Sequence, residues 1–156
     1  MNRNRRTVLQ RAGASGALAT ALAAGLLRPV GLLAAGWNTD AFGSKTAADA
    51  LKSLGASSPA DSKDIVIEAP QIAENGAVVP IEITSNLPNT RTLLVLIEKN
   101  PFPLAAKFDF LEGAVPFVKV NVKMGESSNV RVVAETGGKH YSAVKEVKVT
   151  IGGCGG

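Results

Sequence analysis

From residue 65 onward, apolar and polar positions alternate with a period of two. Val79, Ile81 and Ile83 alternate with Pro80, Glu82 and Thr84; Val118, Val120, Val122 and Met124 with Phe117, Lys119, Asn121 and Lys123; Val147, Val149 and Ile151 with Glu146, Lys148 and Thr150. Successive side chains of a strand point to opposite faces, so each run predicts a strand with one wet face. Residues 93–97 are continuously apolar, the pattern of a central strand covered on both sides. Adding residues 65–69, 107–111 and 130–135 gives about seven short strands, and Asn75-Gly76 and Gly137-Gly138 mark tight turns between them. The count and the spacing of turns predict a mainly β protein, an immunoglobulin-like antiparallel sandwich rather than a barrel. Pro80 cannot donate a ladder hydrogen bond, which places its strand at an edge or a bend, an edge that a partner could cover.

Ahead of the strands the period is helical. Ala47, Ala50, Leu51 and Leu54 fall on one face, Thr46 with Asp49 makes a capping-box-like start, and Gly55 supplies the stop, so one short amphipathic helix is expected. Residues 56–64 are polar and read as a linker. Within the strand region, residues 99–106 are the least strand-like: Pro101 and Pro103 bracket Phe102 and fix an extended path. This segment reads as a rigid connection or as a partner-contact loop in which an exposed Phe102 would need cover.

The first residues carry a different kind of signal. Arg5-Arg6 stand before residues 12–27, an apolar Ala/Gly/Leu-rich stretch of 16 residues without charge, followed by Arg28-Pro29 and then Ala34 and Ala35. This is the pattern of a twin-arginine signal peptide, with residues 1–35 removed near Ala34 or Ala35. A membrane anchor needs roughly 20 continuous apolar residues, and Arg28 with Pro29 interrupts the run. The whole chain has 17 Lys and Arg against 13 Asp and Glu, but Arg3, Arg5, Arg6, Arg11 and Arg28 precede the cut, which leaves 12 against 13. The exported protein is then near neutral, and its charge gives no support for binding nucleic acid or a membrane surface. The expected organisation is a signal at 1–35, a helix and linker at 36–64, the sandwich at 65–151 and an arm at 152–156.

Residues for catalysis are scarce. His140, at the start of a strand, is the only histidine and is expected on a solvated surface, and a single cysteine excludes a disulfide within the chain. A histidine metal cluster is therefore excluded, and Asp61, Asp64, Glu68 and Glu82 are scattered rather than set at the spacing of an acid/base pair. Gly137-Gly138-Lys139 reads as a hairpin turn, not a phosphate cradle. No catalytic residue, metal ligand or resident cofactor is assigned.

What stands out is the sequence Gly152-Gly153-Cys154-Gly155-Gly156. Free cysteine is among the most buried residue types, whereas a glycine stretch has no core to enter. The arm is expected to be flexible and to present its thiol outward, since glycine tolerates both signs of φ and has no side chain to block a narrow opening. Three extended residues after Ile151 reach about 10 Å beyond the domain. Nothing beside Cys154 activates it: no basic residue adjoins it, and near the free pKa of about 8.5 only a few per cent is thiolate at neutral pH. Activation must come from a partner, as for a carrier whose cysteine reacts inside another enzyme.

The twin-arginine leader, the strand-rich domain, the segment Glu98-Lys99-Asn100-Pro101-Phe102-Pro103-Leu104-Ala105, and the ending at residues 145–151 before Gly-Gly-Cys-Gly-Gly resemble the SoxY family, sulfur carriers of periplasmic thiosulfate oxidation. The likeness covers essentially the entire chain. It implies that Cys154 carries the intermediates as covalent sulfur adducts. It also implies a heterodimer with SoxZ, another small sandwich protein, and transient contacts with the c-type cytochrome SoxAX, the hydrolase SoxB and the sulfane dehydrogenase SoxCD. Haem and metals would then belong to those enzymes, and the twin-arginine peptide would export the folded pair. Two other readings stay open from the residues. An exported interaction module would use Cys154 only for intermolecular disulfides, and a small thiol-transfer enzyme would need a thiol activated within its own chain.

Overall fold

The computed structural model describes residues 38–150. The expected signal peptide with Arg5 and Arg6, and the arm Gly152, Gly153, Cys154, Gly155 and Gly156, lie outside the described residues.

Two short helices open the described chain, α1 (Thr39–Gly43) and α2 (Ala47–Ser53). Thr46 caps α2 through its hydroxyl, which accepts from the Asp49 amide at 3.1 Å and donates to the Asp49 carboxylate at 2.7 Å. Such a cap contributes about 1 kcal/mol. Gly55 follows with φ +74°, the left-handed conformation that closes a helix. The apolar pattern does not predict α1: it is only five residues long and owes its start to Asn38, whose side chain accepts from the Ala41 amide at 2.9 Å.

Nine strands follow: β1 (Ala60–Asp61), β2 (Ile65–Glu68), β3 (Ile72–Ala73), β4 (Val79–Ser85), β5 (Thr90–Ile97), β6 (Leu104–Asp109), β7 (Phe117–Val122), β8 (Ser128–Thr136) and β9 (Lys139–Val149). They form two sheets. One runs β1-β9-β8-β5-β6, with β3 also beside β9; the other runs β2-β4-β7. The seven longer strands pair with one another antiparallel throughout, so the protein is an antiparallel β-sandwich, as its alternation predicts. The additional β1 lies in the segment read as a linker and pairs parallel with β9, as does β3.

Packing explains the sequence pattern. The inner faces of the two sheets meet in a core of Val79, Ile81 and Ile83 from β4, Leu93, Val95 and Ile97 from β5, Val118 and Val122 from β7, and Val130 and Val132 from β8. A second core lies on the other side of the larger sheet, where Leu94, Leu96, Leu104 and Val133 pack against Ala41, Ala50, Leu51 and Ala56 of the helical segment. β5 is thus covered on both faces, which is why residues 93–97 show no alternation. Each such aliphatic side chain, fully buried, contributes roughly 1.5–3 kcal/mol.

Pro80 corrects the sequence reading. Its strand is central, between β2 and β7. The proline is tolerated because the β2–β4 ladder ends at Glu68–Glu82, so at Pro80 only β7 is paired, through Asn121. Gly137 and Gly138, at φ +56° and +75°, form the two-residue connection of the β8–β9 hairpin. Asn75-Gly76 is also a turn, with the Ala77 amide donating to the Asn75 side chain at 2.9 Å, but it joins β3 to a strand of the opposite sheet rather than closing a hairpin.

Candidate functional site at the root of the cysteine arm

Cys154 follows β9 closely in sequence, so the described part of the site is the set of residues that holds the end of that strand. On one side the Lys148 amide donates to the Gln71 carbonyl at 2.9 Å and the Thr150 amide to the Ala73 carbonyl at 3.1 Å. On the other the Val149 amide donates to Ser127 Oγ at 2.9 Å. β3 is only two residues long, yet it holds the chain up to its last described residue.

The turn before β4 locks the same corner. A Cβ on Gly76 would stand 2.4 Å from the Met124 carbonyl oxygen and 2.9 Å from Val149 Cγ1, so no side chain fits there. The glycine is required by close approach, which lets the Met124 amide donate to the Gly76 carbonyl at 2.7 Å.

Residues 98–105 supply the third wall. The Glu98 carboxylate accepts from Asn129 Nδ2 at 3.0 Å and Arg131 Nε at 2.7 Å. The Lys99 amide donates to Ser128 Oγ at 3.0 Å. Asn100 spans two loops, donating from Nδ2 to the Lys123 carbonyl at 2.7 Å and accepting from the Gly125 amide at 3.2 Å. Pro103 is buried and its carbonyl accepts from the Ile97 amide at 2.8 Å. The segment is therefore a rigid connection. Phe102 stays half exposed, with the Lys45 ammonium 3.6 Å from its ring centroid, a cation–π contact that covers one face only.

The remaining candidates are elsewhere. His140 sits opposite Glu135 and is partly buried rather than fully solvated; it lines a shallow cleft with Ser57, Ser58 and Tyr141. Of the acidic residues, Asp61 accepts from Ser142 Oγ at 3.2 Å and Asp64 from Ser62 Oγ at 3.3 Å. Glu68 and Glu82, distant in sequence, are brought into register on β2 and β4, which no spacing could show. Glu82 pairs with Lys119 of β7, and the hydrogen bond raises the Lys119 pKa. Burial works against ionised Asp109, but hydrogen bonds from Lys107 and Thr92 outweigh it and hold the carboxyl below its ordinary range. Among the described residues no group of three His, Cys, Asp or Glu is placed to hold a metal ion, and no helix is long and apolar enough to cross a membrane.

The described geometry can anchor a tether. Comparison with known proteins gives the tether a context. Residues 50–154 match the family of the sulfur oxidation protein SoxY, and the match ends on Cys154. The fold is similar to the structure of the sulfur carrier protein SoxY from Chlorobium limicola f thiosulfatophilum, at 40% identity and a TM-score of 0.61, covering 66% of this chain and 94% of that one. It is also similar to a superoxide reductase (neelaredoxin) from Ignicoccus hospitalis, at 21% identity and a TM-score of 0.50, covering 58% and 83%, a likeness of fold alone. No curated protein matches.

Proposed function

The chain belongs to the SoxY family of sulfur oxidation proteins, and on that premise we propose that Cys154 is the covalent attachment point for sulfur intermediates, which the protein presents to successive enzymes in the periplasm. The observation that carries this reading is the reach of the family match: it includes Gly152 and Gly153 and ends on the only cysteine of the chain.

In the proposed cycle the Cys154 thiolate forms a bond to the outer sulfur of thiosulfate. The product is a thiosulfonate adduct, Cys–S–S–SO3⁻, and the two electrons released pass to a c-type cytochrome of the SoxAX kind. Water then breaks the bond between the terminal sulfonate and its neighbouring sulfur, in a SoxB-type hydrolase. Sulfate and protons leave, and a persulfide stays on Cys154. A SoxCD-type dehydrogenase oxidises that outer sulfur to a sulfonate with oxygen from three waters, releasing six protons and passing six electrons to a c-type cytochrome acceptor, and a second hydrolysis releases sulfate and returns the thiolate. The carrier supplies no haem and no metal in this scheme. It supplies a thiol on the glycine arm Gly152, Gly153, Gly155 and Gly156, with a SoxZ-like subunit as its permanent partner.

The firmness of the arm's root suits this role. Ordering each arm residue inside an enzyme costs on the order of 1–2 kcal/mol. That cost weakens every transient complex and favours release to the next enzyme, while the clamped end of β9 holds the starting point of the arm.

Cys154→Ser keeps the size of the side chain and removes the soft nucleophile. In a reconstituted system thiosulfate oxidation should fall to background while the variant still unfolds at the wild-type temperature; retained turnover would end the carrier reading. Export is proposed to depend on Arg5 and Arg6, because lysine preserves their charge but not the guanidinium geometry. The double Lys replacement should leave the precursor in the cytoplasm, and normal periplasmic accumulation would contradict the twin-arginine route.

A further inference from the structure

The lateral edges of the two sheets are treated unequally. β9 is flanked by β1 at Tyr141 and Ser142 and by β3 at Lys148 and Val149. These flanking strands have two residues each, too short to template another strand. β2 has four residues, is followed by Pro70, and its Ile67 carbonyl accepts from Lys145 Nζ at 3.2 Å. β6 breaks register opposite Val95 and Leu96 and carries the Lys107–Asp109 ion pair. Bulges, prolines, short length and charge are the devices by which proteins stop a sheet edge from pairing.

β7 has neither the bulge nor the very short length; Pro116 precedes it but turns its carbonyl toward β4, and its charge is the Lys119–Glu82 pair made within the sheet. Its six residues keep an unbroken register with β4, from Thr84–Phe117 to Val79–Val122, and among the described strands it pairs with β4 alone. The Ser85 amide donates to the Pro116 carbonyl at 3.0 Å, which sets the alternation of the antiparallel ladder. Val118, Val120 and Val122 direct their backbone groups to β4, so Lys119 and Asn121 direct an N–H and a C=O each away from it. The loop before β7 exposes Leu111 (85%) and Val115 (75%), the most exposed large apolar side chains described, and β7 itself opens with the half-exposed Phe117 (47%).

We propose that the β7 edge, with Leu111, Val115 and Phe117, receives an edge strand of a second and different β-sandwich protein, the permanent partner of the function proposed above, on which this inference rests. Main-chain bonds to Lys119 and Asn121 would extend the β2-β4-β7 sheet, and the apolar side chains would give the contact its specificity. A second copy of this chain fits less well. Antiparallel pairing of two β7 edges sets the Phe117 end of one against the Val122–Lys123 end of the other, so neither apolar cluster gains apolar cover. The position also suits a carrier: β7 and β2 flank β4 on opposite sides, and it is β2 that reaches β9 through Lys145, so a partner on β7 pairs along the edge away from that contact.

The test uses the mature chain and its cognate partner subunit. Asn121→Pro removes an outward donor from an edge strand without touching the ladder to β4. Leu111→Asp with Val115→Asp charges the exposed loop, and Phe102→Asp serves as an exposed apolar control on another loop. Calorimetric titration should show each β7-side variant binding the partner about 100-fold more weakly, as loss of central interface contacts does, with Phe102→Asp unchanged. If Asn121→Pro fails to fold, the loop variant decides alone. Wild-type affinity in the β7-side variants would overturn the surface and leave the carrier reading standing. A wild-type chain that does not bind the partner would overturn both the surface and the heterodimer part of that reading. Loss of a self-dimer with partner binding intact would make a second copy the occupant and overturn the proposal.

Discussion

The end of β9 and the edge of β7 belong to different sheets of one sandwich and differ in how completely they are satisfied. At the end of β9 backbone groups are bonded on both sides, Ser127 ties its loop to Val149, Asn100 ties two neighbouring loops, and Gly76 leaves no space for even a methyl group. Along β7 one row of backbone groups faces outward, and the loop before it exposes Leu111 and Val115. The contrast separates two demands on a carrier. A tether needs a fixed origin, which dense bonding provides; a lasting partner needs unsatisfied surface, which a complete sandwich would lack.

The comparison breaks most readily at Gly76. Gly76→Val drives a branched side chain into the Met124 carbonyl and Val149, and overpacking of this kind costs about 1–3 kcal/mol or more. Thermal unfolding should move down by several degrees, with reconstituted turnover reduced because the root of the arm loosens; a wild-type melting temperature would show that the corner is not tightly held. A smaller effect is expected at Asn100, which is partly exposed. Asn100→Ala removes two hydrogen bonds between the 98–103 and 123–125 segments, and at about 0.5–1.5 kcal/mol each their loss should be visible in urea titration. An unchanged midpoint would reduce the motif around Pro101 to a simple connection.

Much of this is legible in the sequence where local physics decides. Thr46, Asp49 and Gly55 announce α2 because caps are local, and the period of two in residues 79–84 and 117–124 marks β4 and β7 with their inner faces. Pro80 misleads because an edge is a property of neighbours: the same proline is allowed in a central strand once β2 has ended at Glu68. The length of β9 is hidden for a related reason. Ser142 is buried, Val144 is exposed and Lys145 turns toward Ile67, so the first half of the strand shows no clean alternation. The Gly-Gly-Cys-Gly-Gly segment is read directly from the order of residues. The clamp that precedes it is not, because the contacts made by Gln71, Ala73, Ser127 and Asn100 come from separate loops and a two-residue strand, and none carries a motif; the open state of β7 likewise emerges only when all the edges are compared.

The central claim is that sulfur is carried on Cys154, and intact mass spectrometry tests it most directly. The exported protein, incubated with thiosulfate and a competent cytochrome enzyme, should gain the mass of one thiosulfate-derived adduct, located on Cys154 and removed by a reducing thiol through exchange at the disulfide-like bond. Cys154→Ser should gain none under the same conditions. An equal gain on the serine variant, or no gain on the wild type beside an active loading enzyme, would contradict the account.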